Sequence, residues 1–485
     1  MRFTSIVDEA QIALGGLADY ASDLVNPTIR LGVTGLSRAG KTVFITALVH
    51  NLLNGGRLPM FAPYANGRIK RAFLQPQPDD DVPRFDYEKH LEALTSGDDR
   101  DWPQSTRRIS QLRLTIEYEP EGFLASTFGQ GQLNIDIVDY PGEWLLDLPL
   151  LDMSYSEWSS QALSQAQVAP RDILSKEWVS FAETLDPDQA EDEQLILQSS
   201  KLYTKYLQKC REDAFALSTV PPGRFLMPGD MEGSPLITFA PLVLNDEQKM
   251  QKNSLGALME RRYNAYVSKV VKPFFLNHFS RLDRQVVLVD LLSALNAGPA
   301  AVADVKMALT AILDCFRPGK NSWLNAILGK RIERILFAAT KADQLNHIDH
   351  DHLENILKMI VSQAISRTED SGAEHNVAAI ASIRATREHT IMQGNEELPA
   401  IIGIPKNGEK LDKKTYDGKE EIAFFPGDLP DNPKVALSNE GLEGELEFLR
   451  FRPPLLSADS TSGSNGSFPH IRLDKVLNFL ISDRL

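Results

Sequence analysis

The sequence contains few of the residues that build metal clusters and disulfide frameworks. Among 485 residues there are two cysteines and nine histidines. Cys210 and Cys315 each fall in a stretch with helical periodicity, a pattern that predicts neither a disulfide framework nor a metal cluster. A reducing compartment is the simplest interpretation.

Long hydrophobic runs are also missing. No uncharged apolar run is long enough to span a bilayer. The first residues, MRFTSIVDEAQ, place acids directly after a short apolar patch, so they lack the hydrophobic core of a signal peptide. These two absences predict no transmembrane segment and a cytoplasmic location.

The sequence has fewer basic than acidic residues. Lys and Arg number 51 against 66 Asp and Glu, and the net charge is -15. Surfaces that bind nucleic-acid phosphates are typically basic, so we predict no nucleic-acid partner. The remaining composition, 42% hydrophobic and 24% charged, is typical of a globular chain with room for two or three domains.

The strongest pattern that is present lies between a strand-like run, Ile29–Val33, and a run with helical periodicity. Here residues 35–42 have the sequence GLSRAGKT, a full match to the phosphate-loop pattern G-x-x-x-x-G-K-[ST]. Its two glycines allow backbone N–H groups to converge on a phosphate at the start of the helix. Lys41 would contact the β- and γ-phosphates, and Thr42 would offer its hydroxyl to Mg²⁺. The sequence therefore predicts a phosphate site.

A second motif follows the strand predicted over residues 133–138. Residues 139–142 have the sequence DYPG. A Mg²⁺-nucleotide site needs a carboxylate behind the metal and a backbone amide that senses the γ-phosphate, and Asp139 and Gly142 would supply them. The preceding strand, predicted within residues 109–118, is joined by a short connection, so the pair is predicted to form an antiparallel hairpin.

A third motif predicts which nucleotide base the site would select. Residues 340–343, TKAD, follow a buried-strand pattern. The carboxylate of Asp343 would accept the N1–H and N2–H of guanine, whereas it would repel adenine, which has an acceptor at N1 and no amine at C2. Lys341 would lay its aliphatic stem over the ring. Residues 381–384, ASIR, follow the last predicted strand of the alternation. Their place resembles that of a loop in Ras-like proteins, and this resemblance implies that a backbone amide contacts the guanine O6.

The rest of the chain is predicted to divide as follows. Residues 3–25 have helical periodicity, and residues 54–101 are irregular, with several prolines and acidic clusters. Residues 151–285 interrupt the alternation of strand and helix with two long helices, 189–217 and 254–281, the second broken at Pro273. The predicted units are a nucleotide-binding domain (1–150 and 286–395), a helical insertion (151–285), a β-rich appendage (396–470) and a C-terminal helix (471–485).

With Thr106, these motifs are similar, in order, to the five motifs of Ras-like GTPases. Together with WPQST at 102–106 and the long insertion, the chain resembles the YcjX family, a group of bacterial stress-associated Ras-like GTP-binding proteins. The resemblance implies an α/β fold: a Ras-like P-loop GTPase core with a mixed, mostly parallel sheet, a large helical insertion and a small C-terminal β-rich appendage. It also implies GTP or GDP as ligand, Mg²⁺ as cofactor, and a role in stress.

The resemblance also implies roles for individual residues. Thr42 and Thr106 would ligate Mg²⁺, and Asp139 would hold it through water. Trp102 and Ser105 would cover the ribose or phosphates, although a Trp before a Pro is also a common packing anchor. The implied nucleotide-binding residues are Ser37, Arg38, Ala39, Gly40, Lys41, Thr42, Val43, Trp102, Ser105, Thr106, Lys341, Asp343, Ser382 and Ile383. The candidate catalytic residues are Lys41, Thr106, Gly142, Glu143 and Arg38.

Two departures from the general GTPase pattern affect selectivity and rate. Thr340 stands where Asn is usual, and its single hydroxyl predicts softer guanine selectivity. Glu143 follows Gly142, where Ras-like enzymes carry the Gln that positions the attacking water. A carboxylate beside a polyanion predicts slow hydrolysis. The alternative is that Glu143 is a helix N-terminal acid favoured by the dipole.

Two arginines are candidates for stabilising charge at the phosphates. Arg38, unusual in a phosphate loop, would either bridge the phosphates as an arginine finger or pair with the acidic residues 98–101. Arg224 is a second candidate for the stabilising role.

The leading functional hypothesis is a slow GTPase that acts as a conformational switch, because the insertion follows the DYPG motif directly. A nucleotide-stabilised scaffold with little turnover is an alternative that Glu143 favours. A third, an ATPase, is discouraged by Asp343. The acidic charge and the insertion favour a protein partner, with a membrane-associated protein as one candidate.

Overall fold

The computed structural model describes residues 27–36, 38–104, 108–121, 131–212, 214–244, 250–314, 332–366, 373–411, 414–438, 442, 446–456 and 466–485. The helix predicted over residues 3–25 lies outside the described residues, as do Ser37, Ser105, Thr106 and Cys315.

A seven-stranded sheet forms the centre of the protein, in the order β2-β3-β4-β1-β5-β6-β7. Strands β4, β1, β5, β6 and β7 are parallel, and β3 and β2 run antiparallel to their neighbours. The predicted α/β fold with a mixed, mostly parallel sheet is therefore confirmed. The strands of this sheet are β1 (Thr28–Gly35), β2 (Ile69–Gln75), β3 (Ser110–Tyr118), β4 (Gly131–Asp139), β5 (Arg284–Val289), β6 (Arg334–Ala339) and β7 (Glu374–Ala379).

The predicted hairpin is present, since β3 and β4 pair antiparallel from Ser110 opposite Asp139 to Tyr118 opposite Gly131. Strand β2 is an addition at the sheet edge, within the segment that the sequence predicted to be irregular. None of its seven residues is buried. Because a buried face produces the alternation by which strands are recognised, this edge strand has no clear sequence signal.

Helices cover both faces of the sheet. Helix α1 and the C-terminal helix share one apolar core with the sheet, while a second core is continuous from the sheet into the helical insertion. The helices are α1 (Lys41–Leu53), α2 (Ala62–Ala65), α3 (Tyr87–Thr95), α4 (Tyr155–Ala166), α5 (Arg171–Ala182), α6 (Glu193–Cys210), α7 (Gly223–Leu226), α8 (Leu255–Tyr266), α9 (Lys272–Asn277), α10 (Leu291–Asn296), α11 (Pro299–Asp314), α12 (His350–Ser366), α13 (Pro433–Ala436) and α14 (Leu473–Ile481).

The two long helices predicted in the insertion differ in their bounds from those observed. Helix α6 is shorter than the predicted 189–217, because the Asp192 carboxylate caps its first backbone N–H groups. In the second, a π-helical turn, Val267–Val271, separates α8 from α9. The irregularity thus lies just before Pro273, which has no N–H to donate to the preceding turn.

Short strands follow the central sheet in the chain. Strands β8 (Arg387–Gln393), β9 (Glu396–Gly403) and β12 (Ile422–Phe424) form an antiparallel sheet, and β10 (Lys410–Leu411) pairs with β11 (Lys414–Thr415). The C-terminal helix α14 returns to the central sheet, where the fully buried Arg284 of β5 donates to the Leu480 carbonyl at 3.1 Å. No helix among the described residues has the length and apolar character needed to cross a membrane.

Candidate nucleotide-binding site

A cavity of about 770 Å³ lies beside the carboxyl ends of β1, β5 and β6. This edge of a parallel sheet is where ligands of open α/β folds bind. The phosphate loop, the TKAD and ASIR segments, the insertion and the appendage all contribute to its lining. The lining residues that the sequence predicted are Arg38, Ala39, Gly40, Lys41, Thr42, Val43, Trp102, Lys341, Asp343, Ser382 and Ile383.

The phosphate loop turns sharply between β1 and α1. Arg38 and Gly40 both adopt positive φ, at 64° and 79°, and the N–H of Ala39 donates to the Leu36 carbonyl at 3.2 Å. Helix α1 begins at Lys41. The first turn of this helix therefore opens onto the cavity, with backbone N–H groups that have no partner within the helix.

Asp139, Gly142 and Glu143 are buried and are not among the residues that line the cavity. Asp139 ends β4, where it is the Cα partner of Val33 in β1. Gly142 lies against the phosphate loop, since a Cβ on it would stand 1.8 Å from the Gly35 carbonyl oxygen. The DYPG segment therefore packs directly behind the loop.

The Asp343 side chain lies at the surface of the cavity but is largely buried. Its Oδ2 accepts a hydrogen bond from the Ala385 N–H at 2.9 Å, and the Thr386 hydroxyl donates to its backbone carbonyl. Burial raises the pKa of this carboxyl to about 6, and the hydrogen bond from Ala385 opposes that rise. The strand-end loop that carries Asp343 is thus fixed to the loop after ASIR.

The other two polar residues of TKAD contact the end of β5. The Thr340 hydroxyl donates to the Val289 carbonyl at 3.3 Å. Lys341, which has a φ of 63°, places its Nζ 2.5 Å from Oδ2 of Asp290. Asp290 also accepts from the Ser293 hydroxyl at 2.8 Å. Because Asp290 holds the lysine head, the stem of Lys341 is fixed along the cavity that it lines.

Glu143 forms an ion pair with the helical insertion. Its Oε1 lies 2.7 Å from a guanidinium nitrogen of Arg211, the residue that follows α6. The carboxylate side chain is 6% exposed. Arg211, unlike Glu143, is among the residues that line the cavity.

The C-terminal appendage forms another wall of the cavity. Trp102 donates its indole N–H to the Phe451 carbonyl at 2.6 Å, and Asp101 pairs with Lys406 at 2.6 Å. On the side of the TKAD loop, the Gln344 amide donates to the Leu449 carbonyl at 3.3 Å. The appendage therefore joins the loop that carries Asp343 to the segment that precedes Thr106.

Comparison with known proteins assigns the chain to a protein family. A family model described as "YcjX-like family, DUF463" matches residues 29–485. The chain belongs to the YcjX-like family. The resemblance that the motifs indicated is thereby confirmed.

Two relatives are similar over nearly their full lengths. One, named Ras-like GTPase YcjX, from Escherichia coli strain K12, is 37% identical over 472 residues, which cover 95% of this chain and 97% of the relative. Another with the same name, from Shewanella oneidensis strain MR-1, is 36% identical over 477 residues, which cover 94% of each chain.

In this YcjX-like chain, several residues that line the cavity were not predicted from the sequence to be part of the site. The sequence does contain a pattern by which Asp290 could have been identified: it is an acidic residue directly after a buried strand, VVLVD. The other charged residues lie in segments without a local motif, so only the fold brings them to the cavity. They are Arg211, Lys406, Glu409 and Arg450.

Arg224, the second candidate for a phosphate contact, does not line the cavity. Its guanidinium carbon lies 3.2 Å from the centroid of the Trp144 ring, and it donates to Asp230 at 3.4 Å. Its role in this YcjX-like structure is to stack on an aromatic ring. Arg211, an arginine that had no sequence prediction, lines the cavity.

Proposed function

We propose that this chain binds guanine nucleotide with Mg²⁺, hydrolyses GTP slowly and uses the state of the nucleotide as a conformational switch. The observation that carries the proposal is that Lys41 of the phosphate loop and Asp343 of the TKAD loop line one cavity of about 770 Å³. This volume is in the range of small-ligand sites. The names of the two relatives, Ras-like GTPase, support the same activity.

The residues behind the phosphate loop fit a Mg²⁺-nucleotide complex. Thr42, in the first turn of α1, and Asp139, at the end of β4, are both buried and supply oxygen atoms, which Mg²⁺ prefers. Thr106 would ligate the ion together with Thr42, and Asp139 would hold it through water. Among the described residues no group of three or more His, Cys, Asp or Glu forms a metal site. A Mg²⁺-nucleotide site does not need such a group, because phosphate and water oxygens complete the coordination of the ion. When bound, Mg²⁺ would neutralise charge on the β- and γ-phosphates.

Hydrolysis would require this chain to hold the phosphates and one water in line. The water oxygen forms a bond to the γ-phosphorus, and the bond to the bridging oxygen breaks with its electron pair on GDP. The water protons leave with the phosphate product and the solvent. Lys41 would stabilise the charge that develops on the β- and γ-oxygens. We expect a slow rate, because Glu143 brings a carboxylate where Ras-like enzymes use an amide.

The switch would use the contact between Gly142 and the phosphate loop. The backbone N–H of Gly142 would bind the γ-phosphate in the GTP state only, and the segment Gly142–Asp152 leads from there into the insertion. Hydrogen exchange over residues 143–170 should therefore be slower with a non-hydrolysable GTP analogue than with GDP. Identical exchange in the two states would contradict the switch.

Two experiments test the proposed ligand and the proposed hydrolysis of GTP. Calorimetric titration should show binding of GDP and no comparable binding of ADP. Lys41→Ala should lose most phosphate release from GTP, whereas Lys70→Ala, which removes a partly exposed lysine that pairs with Glu119 in the hairpin region, should keep it. A chain that prefers ADP would refute guanine selectivity.

A nucleotide-stabilised scaffold is the second candidate function. The ion pair between Glu143 and Arg211 favours it, because a carboxylate bound to a guanidinium is less available to a water molecule. Equal, negligible phosphate release by the wild type and Lys41→Ala, together with tight GDP binding, would support the scaffold. The assignment of either function to a bacterial stress response rests on the family resemblance.

A further inference from the structure

The Glu143 carboxylate is an electrostatic problem for the proposed hydrolysis. It follows Gly142, the glycine in contact with the phosphate loop, so an ionised Glu143 approaching the γ-phosphate would be repelled by the nucleotide. Buried charges are stable only when they are paired. Hydrolysis next to Glu143 therefore requires a cation that neutralises this carboxylate.

Arg211 supplies that cation. Its guanidinium lies 2.7 Å from Oε1 of Glu143, and the two side chains are 19% and 6% exposed. Charge-assisted hydrogen bonds of this length are strong and directional. Because Arg211 also lines the cavity, the pair stands between the nucleotide site and the insertion.

Arg38 of the phosphate loop and Arg211 line the same cavity. The pKa of Arg38 is lowered, mainly by burial and next by the positive charge of Arg211, while Asp290 raises it. Two guanidinium groups of the cavity lining thus lie within electrostatic range of each other.

The backbone of Glu143 is fixed from the same side. A Cβ on Gly223, in the insertion, would stand 2.2 Å from the Glu143 carbonyl oxygen. The N–H of Gly223 donates to Oδ1 of the buried Asp147 at 2.7 Å. The insertion therefore holds both the backbone and the side chain of Glu143.

We propose that Arg211 is a positioning residue for hydrolysis: it holds the Glu143 carboxylate in an ion pair and neutralises it, so that no uncompensated negative charge lies behind the phosphate loop when GTP is bound. The inference rests on the proposed GTPase function. Arg211 acts through Glu143 and makes no bond to the reacting atoms. The bonds formed and broken are those of the hydrolysis described above, and Glu143 keeps its charge throughout.

One consequence concerns the insertion. In Ras-like proteins with a slow intrinsic rate, the stabilising arginine is often supplied by a separate activating protein. Here Arg211 follows α6 of the same chain, and it acts on the Glu143 carboxylate and not on the phosphates. Docking of the insertion on Glu143 then sets the rate of hydrolysis, and a partner that moved the insertion would change that rate.

The test is a double-mutant cycle in the full chain. Single-turnover hydrolysis of GTP with Mg²⁺ is measured for the wild type, Arg211→Ala, Glu143→Gln and the double variant, and GDP affinity is measured for each. Arg211→Lys tests rescue by a conservative change. The control is Arg262→Ala, which removes an arginine of the insertion that pairs with Glu193 and does not line the cavity.

We expect Arg211→Ala to slow hydrolysis by about tenfold or more, with GDP affinity changed less than about threefold, and Arg211→Lys to recover part of the rate. In the Glu143→Gln background, where no charge needs neutralising, Arg211→Ala should change the rate by less than about threefold. Arg262→Ala should hydrolyse GTP like the wild type.

Three outcomes would overturn the inference: no slowing in Arg211→Ala, equal slowing in both backgrounds, or a wild type that binds GTP without hydrolysing it. A wild type that binds no guanine nucleotide would instead refute the proposed function, and the affinity measurement distinguishes that case. If Arg211→Ala does not fold, Arg211→Gln replaces it in the cycle with the same criteria, because the amide removes the positive charge and keeps a hydrogen-bond donor.

Discussion

Gly142 packs directly on Gly35: a Cβ added to Gly142 would lie 1.8 Å from the Gly35 carbonyl oxygen. This distance is far below any non-bonded contact, so only glycine fits at residue 142. The end of β1 and the DYPG segment are thus in contact through their backbones. A shift of the phosphate loop must therefore move the residue that would sense the γ-phosphate.

Gly142→Ala should damage both stability and nucleotide binding. The methyl group must displace backbone, and overpacking of this kind costs about 1–3 kcal/mol. Chemical denaturation measures the free energy of unfolding, and calorimetry measures the affinity for GTP and GDP. We expect both quantities to fall, with a greater loss of affinity for GTP.

The matched control is Gly394→Ala, at the exposed turn between β8 and β9. Gly394 has a φ of 66° and no atom within 4 Å of an added Cβ, so its cost is backbone strain alone, about 1–2 kcal/mol. Its nucleotide affinity should equal that of the wild type. A Gly142→Ala variant with the affinities of this control would refute the role given to the contact.

Asp343→Asn should move base preference from guanine to xanthine nucleotides. An amide N–H can donate to the C2 carbonyl of xanthine, whereas it meets the C2 amine of guanine unfavourably. A well-placed pair of this kind contributes on the order of 1–3 kcal/mol, or a factor of about 10–100 in affinity. Competition between GDP and the xanthine analogue measures the change. Retained GDP selectivity would contradict the assignment of Asp343.

Guanine affinity should also depend on pH through the same carboxyl. Burial raises the pKa of Asp343 to about 6, and guanine requires the ionised form. Below that pH the protein must lose a proton before it binds, so the affinity should fall by up to about tenfold per pH unit. Phosphate groups of GDP titrate as well, so Asp343→Asn is the control. Equal slopes in the wild type and the variant would count against the prediction.

Asp147 should make stability depend on pH. Burial raises the pKa of this carboxyl to about 7, although the hydrogen bonds from Tyr266, at 2.5 Å, and Gly223 oppose the rise. The folded state then holds a proton that the unfolded state loses near 3.8, the ordinary pKa of an aspartate. The free energy of unfolding should therefore decrease as pH rises from about 4 to about 7.

Asp147→Asn removes this titration while it keeps the shape of the side chain. Its free energy of unfolding, measured by denaturation across that pH range, should fall less steeply than that of the wild type. The control, Asp230→Asn, changes a carboxyl whose side chain is 84% exposed and should keep the wild-type slope. Identical slopes in all three proteins would exclude Asp147 as the cause.

Trp102→Phe should loosen the appendage. The phenyl ring keeps most of the packing but cannot donate to the Phe451 carbonyl, a contact of 2.6 Å. Loss of one such hydrogen bond costs about 1 kcal/mol, and hydrogen exchange over residues 446–453 should become faster. Arg387→Gln, which breaks an exposed ion pair between β8 of the small antiparallel sheet and Glu421, is the control. Unchanged exchange in Trp102→Phe would show that the contact does not hold this segment.

The sequence by itself predicted the central α/β fold and the loops that line the cavity. The phosphate loop, DYPG and TKAD are short and continuous, so the residue types that carry their chemistry are neighbours in the chain. Buried strands and amphipathic helices likewise have periods that can be recognised locally. The edge strand β2 was missed, because none of its residues is buried.

Only the tertiary structure decided what surrounds those loops. Trp102 and Phe451 are 349 residues apart in the chain, and nothing in either segment predicts their hydrogen bond. The ion pair between Glu143 and Arg211 likewise depends on how the insertion packs against the sheet. Such contacts arise from the burial of distant apolar surfaces against each other, which brings side chains together without a local pattern, and so the charge next to Glu143 is a property of the fold.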